Sequence, residues 1–584
     1  MLKRLLQCVR QYKRDSILAP VIISGEVLLE VLMPWIMAKI IDNGITPGNM
    51  EYIWKMGLLL ILCCAASLAC GALAGKYAAS ASTGLGRNIR KDLYYNVQNF
   101  SFHNIDKFST AGIVTRLTTD VTRIQESYQM IIRTAVRSPF MLISSVVMAF
   151  TINWKLAFVF LAAIPILGIG LYFIITHAHP VFERVFKTYD KLNRVVQENL
   201  YGIRVVKSFV REEHETKKFK EVSDSIYKDF VYAERLLAFN GPLMQFCSYG
   251  CMLLISWFGA RLIVLGGETA MTTGELTGMF TYVMQILMSL MMLSMIMVMV
   301  TMSKASAERI VELLDEKPTI RNPEHPVMEV ENGEIVFRNV EFSYSEKSEK
   351  PCLSNINLHI HSGQTIGIIG GTGSAKSTLV QMIPRLYDVT KGEVLVGGRN
   401  VREYDLEVLR NSVAMVLQKN VLFSGTVKEN LRWGNPDATD EEMIHACRLA
   451  QAHDFIMDFS DGYDTHIEQG GRNVSGGQKQ RLCIARALLK KPKILILDDS
   501  TSAVDTKTDT LIRKAFREEI PDTTKLIIAQ RVASVEDADL IIVMEDGKVD
   551  AIGTHAQLLE SNEIYREVYT SQLKGGDDDA NTEQ

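Results

Sequence analysis

Six long apolar runs in the first half of the chain constrain its fold more than any other feature. About 20 residues of helix are needed to cross the hydrocarbon core of a bilayer. The runs therefore predict a membrane domain over residues 1–310, with an even number of spans and both chain ends on one side. The predicted spans lie at about residues 17–41, 53–77, 131–152, 156–176, 237–265 and 276–302.

The links between the runs differ in their content of Lys and Arg. Residues 42–50 and 265–275 contain neither, whereas the two long links, at 78–130 and 177–236, are rich in both. Cytoplasmic loops carry the excess of basic residues. We therefore expect both long links and both termini in the cytoplasm of a bacterial cell, with helices that continue below the membrane.

The overall charge and the cysteines exclude other classes of partner and site. The chain has 63 basic and 67 acidic side chains, a net charge of -4. Nucleic acid binding needs a basic face that releases counterions from phosphates, so no nucleic acid is expected. Five of the nine cysteines lie inside predicted spans, and none has a paired metal-ligand spacing. We interpret them as small apolar residues.

The second half of the chain has the pattern of a soluble α/β domain. A polar linker with three prolines, at 311–328, precedes it, and we place the domain at 329–574 and a disordered acidic tail at 575–584. Short β-branched runs alternate there with helical patterns, which favours a largely parallel sheet. The predicted strands are Thr365–Ile369, Leu395–Val396, Val413–Leu417, Ile494–Leu497, Lys525–Ala529 and Leu540–Met544.

A glycine-rich loop follows the first strand of the predicted parallel sheet and leads into an apolar helix. Such a loop directs successive backbone N–H groups at an anion, while a Lys reaches the outer phosphates and a hydroxyl reaches Mg²⁺. One residue departs from the strict pattern, since Ala375 stands where Gly is expected. Its methyl group is tolerable if φ is negative and clashes if φ is positive. The loop residues are Gly370, Gly371, Thr372, Gly373, Ser374, Ala375, Lys376, Ser377 and Thr378.

A second element of the predicted nucleotide site is an apolar strand that ends in two acidic residues, Asp498 and Asp499. The carboxyl end of a buried strand would deliver Asp498 to the shell of a Mg²⁺ ion beside the phosphate loop. An apolar run that ends in two Asp is weak evidence by itself. Its spacing from Lys376 and from Asn473–Gln478 makes it specific evidence for a nucleotide site.

These motifs resemble those of the ATP-binding cassette (ABC) exporters. Val474–Arg481 matches that family's signature, Asp505 lies in a segment that looks like its D-loop, and Gln418 matches its Q-loop. Tyr344 matches the aromatic residue that stacks on adenine. In the membrane half, Glu198–Lys207 and residues 112–120 are also similar.

The resemblance implies a fold and a mode of action. The second half would be a RecA-like P-loop domain with a helical signature subdomain, and two such chains would enclose two ATP molecules. Each ATP would lie between the phosphate loop of one chain and the signature of the other, here Ser475, Gly476, Gly477 and Gln478. Ser377, Gln418 and Asp498 would hold Mg²⁺. Loops around Phe108–Ile113 and Val210–Phe219 would transmit motion to the membrane helices.

Two further positions depart from the family's catalytic set. The family has Glu after the Mg²⁺ aspartate and His after a later strand, whereas this chain has Asp499 and Gln530. Asp is one methylene shorter, so its carboxylate falls about 1.5 Å short of the attacking water, and a misplacement of about 1 Å can cost roughly 100-fold in rate. Gln530 can donate a hydrogen bond but cannot carry positive charge.

With Ala375, three departures fall in one site, and two interpretations follow. In one, the chain is half of a heterodimer: its own phosphate loop builds a slow, degenerate site, while its signature completes a competent site on a partner. That partner would carry Glu and His at the catalytic positions and a weakened signature. In the other, the changes are harmless drift in an active homodimer.

Ionisable and soft side chains inside the spans mark a candidate substrate pathway. Glu26 and Glu30 lie on one face of the first span; they would either recognise cationic substrates or hydrogen-bond to neighbouring helices. The sixth span carries a methionine stripe, which suits either a pocket for varied apolar shapes or ordinary packing. Its members include Met288, Met292, Met295 and Met299.

The sequence therefore predicts one half of an ATP-driven exporter of amphipathic compounds in the bacterial cytoplasmic membrane. A lipid or peptide exporter is a rival within the same class. An ATP-gated channel or a regulatory subunit that holds ATP with little hydrolysis is a rival from another class.

Overall fold

The computed structural model describes residues 1–265, 271–345, 350–500 and 503–580, which form two compact units. The first unit comprises Met1–Gln98 and Ser109–Glu316. The second comprises Asn99–Phe108 and Lys317–Gln584. Ten residues from the first half of the sequence thus pack with the second half.

The described residues of the first unit form helices joined by short turns and loops. Among these, six helical segments are long and apolar enough to cross a membrane. Many of their apolar side chains are exposed, for example Leu58 and Leu68, as expected for surfaces that contact lipid. Its helices, with one that belongs to the second unit (α4), are α1 (Leu2–Gln7), α2 (Lys13–Ile40), α3 (Met50–Gln98), α4 (Phe102–Phe108), α5 (Thr110–Thr115), α6 (Val121–Ile152), α7 (Trp154–Tyr201), α8 (Ile203–Ser208), α9 (Glu212–Ala238), α10 (Asn240–Leu265) and α11 (Thr273–Asp315).

Two predicted boundaries, at the linker and at the C-terminal tail, differ from the helix ends in the structure. Helix α11 continues to Asp315, into the predicted linker, because Ile310 and Leu313 are fully buried and keep the helix packed. The two segments expected to transmit motion overlap helices, since α5 begins at Thr110 and α9 begins at Glu212. The last helix of the chain reaches Ala580, into the predicted disordered tail, since its start is anchored by the buried Tyr565. Residues 581–584 lie outside the described residues.

The second unit contains two main sheets. One is a four-stranded antiparallel sheet of order β2-β1-β4-β5, and the other has six strands of order β12-β11-β3-β10-β9-β6. In the latter, only the β11–β12 pair is antiparallel. The strands are β1 (Ile335–Phe342), β2 (Leu353–Ile360), β3 (Thr365–Gly370), β4 (Lys391–Val396), β5 (Arg399–Asn400), β6 (Val413–Val416), β7 (Gly425–Thr426), β8 (His466–Ile467), β9 (Ile494–Asp498), β10 (Thr524–Ile528), β11 (Leu540–Glu545) and β12 (Lys548–Gly553).

The large sheet has the buried centre that the sequence predicts. All five residues of β9 and of β10 are buried, since helices cover both faces of a parallel sheet. The predicted strand Leu395–Val396 instead belongs to the antiparallel sheet, where β4 pairs with β1. The helices of this unit are α12 (Lys376–Gln381), α13 (Leu406–Ser412), α14 (Val427–Leu431), α15 (Asp440–Leu449), α16 (His453–Met457), α17 (Gly476–Leu488), α18 (Thr506–Glu519), α19 (His555–Ser561) and α20 (Glu563–Ala580).

The predicted fold class is confirmed by this architecture. Six membrane-length helices with long extensions precede an α/β domain whose central strands are parallel. Parallel strands place their carboxyl ends at one edge, and β3, β10, β9 and β6 all end there. Ligands of such sheets bind at that edge, which directs attention to the loops that leave it.

Candidate functional site

The glycine-rich loop joins the end of β3 to the start of α12. Gly373 has a φ of +87°, a conformation that glycine adopts without strain. The Nζ of Lys376 folds back over the loop and donates to the backbone oxygens of Gly370 and Gly371, each at 2.8 Å. Burial lowers the pKa of Lys376. An incoming phosphate would offer this ammonium an anionic acceptor in place of two neutral ones.

Ala375 lies at the turn into α12 with φ +67° and ψ +24°. This is the left-handed region. The sequence left open whether φ is negative, which a methyl group tolerates, or positive, which it does not, and the structure shows the positive value. A residue with a Cβ pays about 1–2 kcal/mol there. The first departure from the family pattern therefore carries backbone strain at the phosphate loop.

Asp498 closes β9 next to the phosphate loop. Its Oδ1 accepts a 2.8 Å hydrogen bond from the hydroxyl of Ser377. Asp498 is only 3% exposed, and this burial raises the pKa of its carboxyl group. A hydroxyl oxygen beside a carboxylate oxygen is a donor set that suits Mg²⁺. Ser377 and Asp498 therefore fit an ion that would neutralise phosphate charge.

Asp499 is held by two side-chain amides. Its Oδ2 accepts from Nε2 of Gln530 at 2.7 Å and from Nε2 of Gln418 at 3.3 Å. The backbone N–H of Asp499 donates to the Ile528 carbonyl at 3.0 Å, where β10 ends. Three residues singled out from separate motifs thus meet at one carboxylate, and two of them are the departures from the family's catalytic set.

Tyr344 lies in a cluster of aromatic rings beside the phosphate loop. Its ring centroid is 4.8 Å from that of Phe342 and 5.2 Å from that of Tyr387. Its hydroxyl lies 3.0 Å from Oγ1 of Thr378, the last residue of the loop. The residue is 43% exposed, which leaves part of the ring open to a stacking partner.

Tyr387 connects this aromatic cluster to α4. Its hydroxyl donates a 2.7 Å hydrogen bond to Asp106, and its ring lies 6.0 Å from that of Phe102. Burial, followed by the hydrogen bond to Asp106, raises the pKa of Tyr387. The sequence analysis did not identify Tyr387, because its partners lie about 280 residues away along the chain and no local pattern announces them.

The signature residues form the N-terminus of α17. Ser475 caps the helix by accepting from the N–H of Gln478, and the Gln478 side chain accepts from the N–H of Ser475. At Gly477 an added Cβ would lie 2.8 Å from the Ala503 carbonyl, so glycine permits close approach of the D-loop segment. Asp505 caps α18. Ser502, the first residue of the segment that looks like the D-loop, lies outside the described residues.

Gln572 on α20 holds the segment that carries Gln530. Its amide donates to the Gln530 carbonyl at 2.7 Å and accepts from the N–H of Val532 at 2.9 Å. One side chain thus satisfies two backbone groups of this segment, which positions Gln530 against Asp499. The sequence analysis missed Gln572, since a glutamine on a polar helix carries no signal of its own.

In the membrane unit, Glu26 and Glu30 share a single guanidinium. Arg137 of α6 donates to Glu26 at 2.6 Å and to Glu30 at 2.7 and 2.8 Å. An added Cβ at Gly71 would lie 3.2 Å from the Glu26 carboxylate, so α3 also approaches closely. The carboxylates are engaged by a neighbouring helix, which is the second of the two roles considered for them.

A cavity of about 330 Å³ adjoins this ion cluster. Met288 and Met292 of the methionine stripe line it, together with Arg137. Met295 and Met299 of the same stripe are not among its lining residues. The other lining residues are Thr134, Ser138, Met141, Met284, Gln285 and Ser289. Of the predicted pathway residues, Met288 and Met292 therefore line the cavity, and Glu26 and Glu30 bind Arg137 in its wall.

Comparison with known proteins identifies the family. Residues 17–290 match the family described as ABC transporter transmembrane region, and residues 353–502 match the one described as ABC transporter. The chain is also 36% identical, over 98% of its length and 99% of the relative's, to YfiB of Bacillus subtilis, an uncharacterised ABC transporter ATP-binding protein. This chain belongs to the ABC transporter family.

Other ABC transporters of known name are similar over nearly their full length. A putative multidrug export ATP-binding/permease protein of Staphylococcus aureus is 32% identical, with 98% of this chain and 100% of the relative covered. An ATP-dependent lipid A-core flippase of Syntrophus aciditrophicus is 29% identical, with 98% and 94% covered. The fold matches that of a bacterial Atm1-family ABC exporter with ATP bound, with a TM-score of 0.82 at 22% identity, covering 96% and 99% of the two chains.

The ABC transporter carries an ATP-binding domain and a membrane domain in one polypeptide. It is an ABC exporter, and its chemical reaction is ATP hydrolysis coupled to transport across a membrane. The protein is a membrane protein that contacts lipid through the exposed apolar faces of its long helices.

Proposed function

We propose that this ABC exporter is one half of a heterodimer whose two ATP sites are unequal. Its own phosphate loop forms the slow site, and its signature completes the competent site on a partner subunit. The partner carries Glu and His where this chain has Asp499 and Gln530, and its signature is weakened. Both chain ends face the cytoplasm.

The observation that carries this proposal is the hydrogen bond between Gln530 and Asp499. A carboxylate that accepts from two amides is oriented by them, and the shorter Asp side chain keeps it about 1.5 Å back from the reach of Glu. Gln530, engaged with Asp499, supplies no positive charge to a phosphate. Binding of ATP by Lys376, Ser377 and Asp498 remains possible while activation of water is impaired.

The intact signature supports the second half of the proposal. Ser475 and Gln478 form a complete capping box at the start of a 13-residue helix. The N–H groups and the dipole at such a helix start favour a phosphate. The signature is therefore intact, whereas the chain's own catalytic set is altered. We infer that the signature acts on the ATP bound by the partner subunit.

We propose that the substrates are amphipathic compounds. The cavity in the membrane unit combines flexible methionine side chains, which adapt to varied apolar shapes, with Arg137 and Gln285 as polar groups. The similarity to a multidrug export protein supports this class. The similarity to a lipid A-core flippase supports a lipid as the alternative substrate.

The test compares this chain alone with the chain assembled with the half-transporter encoded beside it, both in lipid nanodiscs. We expect slow ATP hydrolysis by the chain alone and fast hydrolysis by the pair. In the pair, Asp499→Ala on this chain leaves most of the rate, whereas Gly476→Asp in its signature removes it by placing negative charge against the partner's ATP. Equal loss with both variants would contradict the division of labour.

Two other readings give different results in the same experiment. An active homodimer would hydrolyse ATP briskly without any partner. A channel or regulatory subunit would show, in the assembled pair, continuous ion current without ATP turnover. Transport of fluorescent drugs against lipid analogues into inverted vesicles then separates the two substrate classes.

A further inference from the structure

Three potential metal ligands meet where β1 begins and β2 ends in the antiparallel sheet, away from the nucleotide site. The ligand atoms of Glu334, His359 and His361 all lie within 4.8 Å of one another. We propose that these three residues bind a divalent transition metal ion of the zinc type. The proposal is independent of the asymmetry proposed for the ATP sites.

The backbone places the three side chains on one face. His359 is the second-last residue of β2 and His361 is the first residue after it, and alternate residues of an extended chain point the same way. Strands β1 and β2 are antiparallel, with Ile335 opposite Ile360 and Val336 opposite His359. Extending this register by one position beyond the paired residues places Glu334 opposite His361. Two adjacent strands therefore present two imidazoles and a carboxylate together.

The side chains are already close to a ligating arrangement. The Nε2 of His359 lies 2.7 Å from Oε1 of Glu334, and the two imidazole centroids are 4.4 Å apart. Ligands at about 2.0–2.1 Å from a tetrahedral zinc ion lie about 3.3 Å from one another. Small rotations about side-chain bonds reach that spacing, and the ion replaces the hydrogen bond between His359 and Glu334.

The types of ligand select the metal. Imidazole nitrogen with carboxylate oxygen suits Zn²⁺, Ni²⁺ or Cu²⁺, whereas Mg²⁺ prefers oxygen ligands alone. Three protein ligands leave room for water as the fourth. The Mg²⁺ that accompanies ATP therefore does not compete for this site.

The position allows an ion to enter without unfolding the domain. The side chains of His359 and Glu334 are 52% and 31% exposed. The phosphate loop lies at the other end of β3, and a six-residue strand spans on the order of 20 Å. Metal binding and nucleotide binding can thus be measured separately on the same preparation.

The experiment is isothermal titration calorimetry of ZnCl₂ into the purified, chelator-treated full-length protein, isolated with an affinity tag that contains no histidines. We expect one Zn²⁺ per chain at this site, with affinity at least about tenfold weaker in Glu334→Gln and weaker still in the double variant His359→Asn/His361→Asn. The control is His445→Asn, an exposed histidine on α15, which leaves the titration unchanged. Binding of a fluorescent ATP analogue, expected to be equal in all variants, shows that each is folded.

Stabilisation provides a second measurement. A ligand that binds only the folded state raises the unfolding midpoint by mass action, so Zn²⁺ should raise it in the parent protein and not in the double variant. Identical zinc titrations for the parent and the double variant would overturn the proposal. Unchanged affinity in Glu334→Gln would likewise exclude the three-ligand site.

Discussion

Gln530 donates a 2.7 Å hydrogen bond from Nε2 to Oδ2 of Asp499, so the two residues predicted to depart from the exporter catalytic pattern contact each other. The two substitutions are therefore in direct contact. Residues in contact have coupled effects, and only a double-mutant cycle separates them. The two substitutions should therefore be treated as one change, since the Gln530 amide donates to the Asp499 carboxylate.

Replacing both residues with Glu and His should raise the ATP turnover rate by a larger factor than the product of the two single-variant factors. In Asp499→Glu the longer carboxylate still accepts from Gln530, and in Gln530→His the carboxylate remains too short. We expect Asp499→Glu/Gln530→His together to increase turnover by about 100-fold. Steady-state hydrolysis at saturating MgATP, measured for all four forms of the chain expressed alone, completes the cycle. Additive single effects, or no gain in the double variant, would speak against the coupled pair.

Ala375→Gly should stabilise the nucleotide-binding unit by up to about 1 kcal/mol, because glycine adopts the left-handed conformation at φ +67° without strain. Thermal or chemical unfolding followed in this unit measures the change. The matched control is Ala446→Gly inside α15, which should destabilise by about 1 kcal/mol or more. The same sign for both substitutions would contradict the assigned strain.

Arg137→Gln should lower the thermal stability of the membrane unit, because it leaves Glu26 and Glu30 as uncompensated, largely buried carboxylates. We expect a loss of about 1–3 kcal/mol, reduced by the partial exposure of the cluster. The triple variant Glu26→Gln/Glu30→Gln/Arg137→Gln carries no charge and should recover part of that loss. Arg133→Gln, an exposed arginine on the same helix, serves as the control. A triple variant as unstable as Arg137→Gln would rule out charge balance as the reason.

Gln572→Ala should increase hydrogen exchange at the amide of Val532, which loses its acceptor. The change should be local, and exchange in β10 should stay unaltered since that strand is buried between β3 and β9. Exchange followed by mass spectrometry on peptides that contain 530–535 provides the measurement. Unchanged protection at Val532 would show that Gln572 does not hold this segment.

Local patterns in the sequence were sufficient for the fold class and for placing the glycine-rich loop between a strand and a helix. Hydropathy identifies the six helices because a bilayer requires long apolar runs, and the loop from Gly370 to Thr378 is a contiguous motif. Relations between distant residues were beyond such patterns. The sign of φ at Ala375, the pairing of Gln530 with Asp499 and the partner of Glu26 all depend on tertiary packing. For the ion cluster the sequence did contain one signal. Arg137 is a single cation at the start of an apolar run, and a charge there needs a partner of opposite sign.

The packing of Asn99–Phe108 with the second unit makes the nucleotide-binding domain discontinuous along the gene. A recombinant fragment that starts at Lys317 would lack this peptide. Tyr387, only 8% exposed in the full chain, would then lose both Phe102 and Asp106 and turn its ring and hydroxyl to solvent. In such a fragment the ring of Tyr387, which packs against Tyr344, would be exposed on one side. Adenine affinity should therefore be measured on the intact transporter.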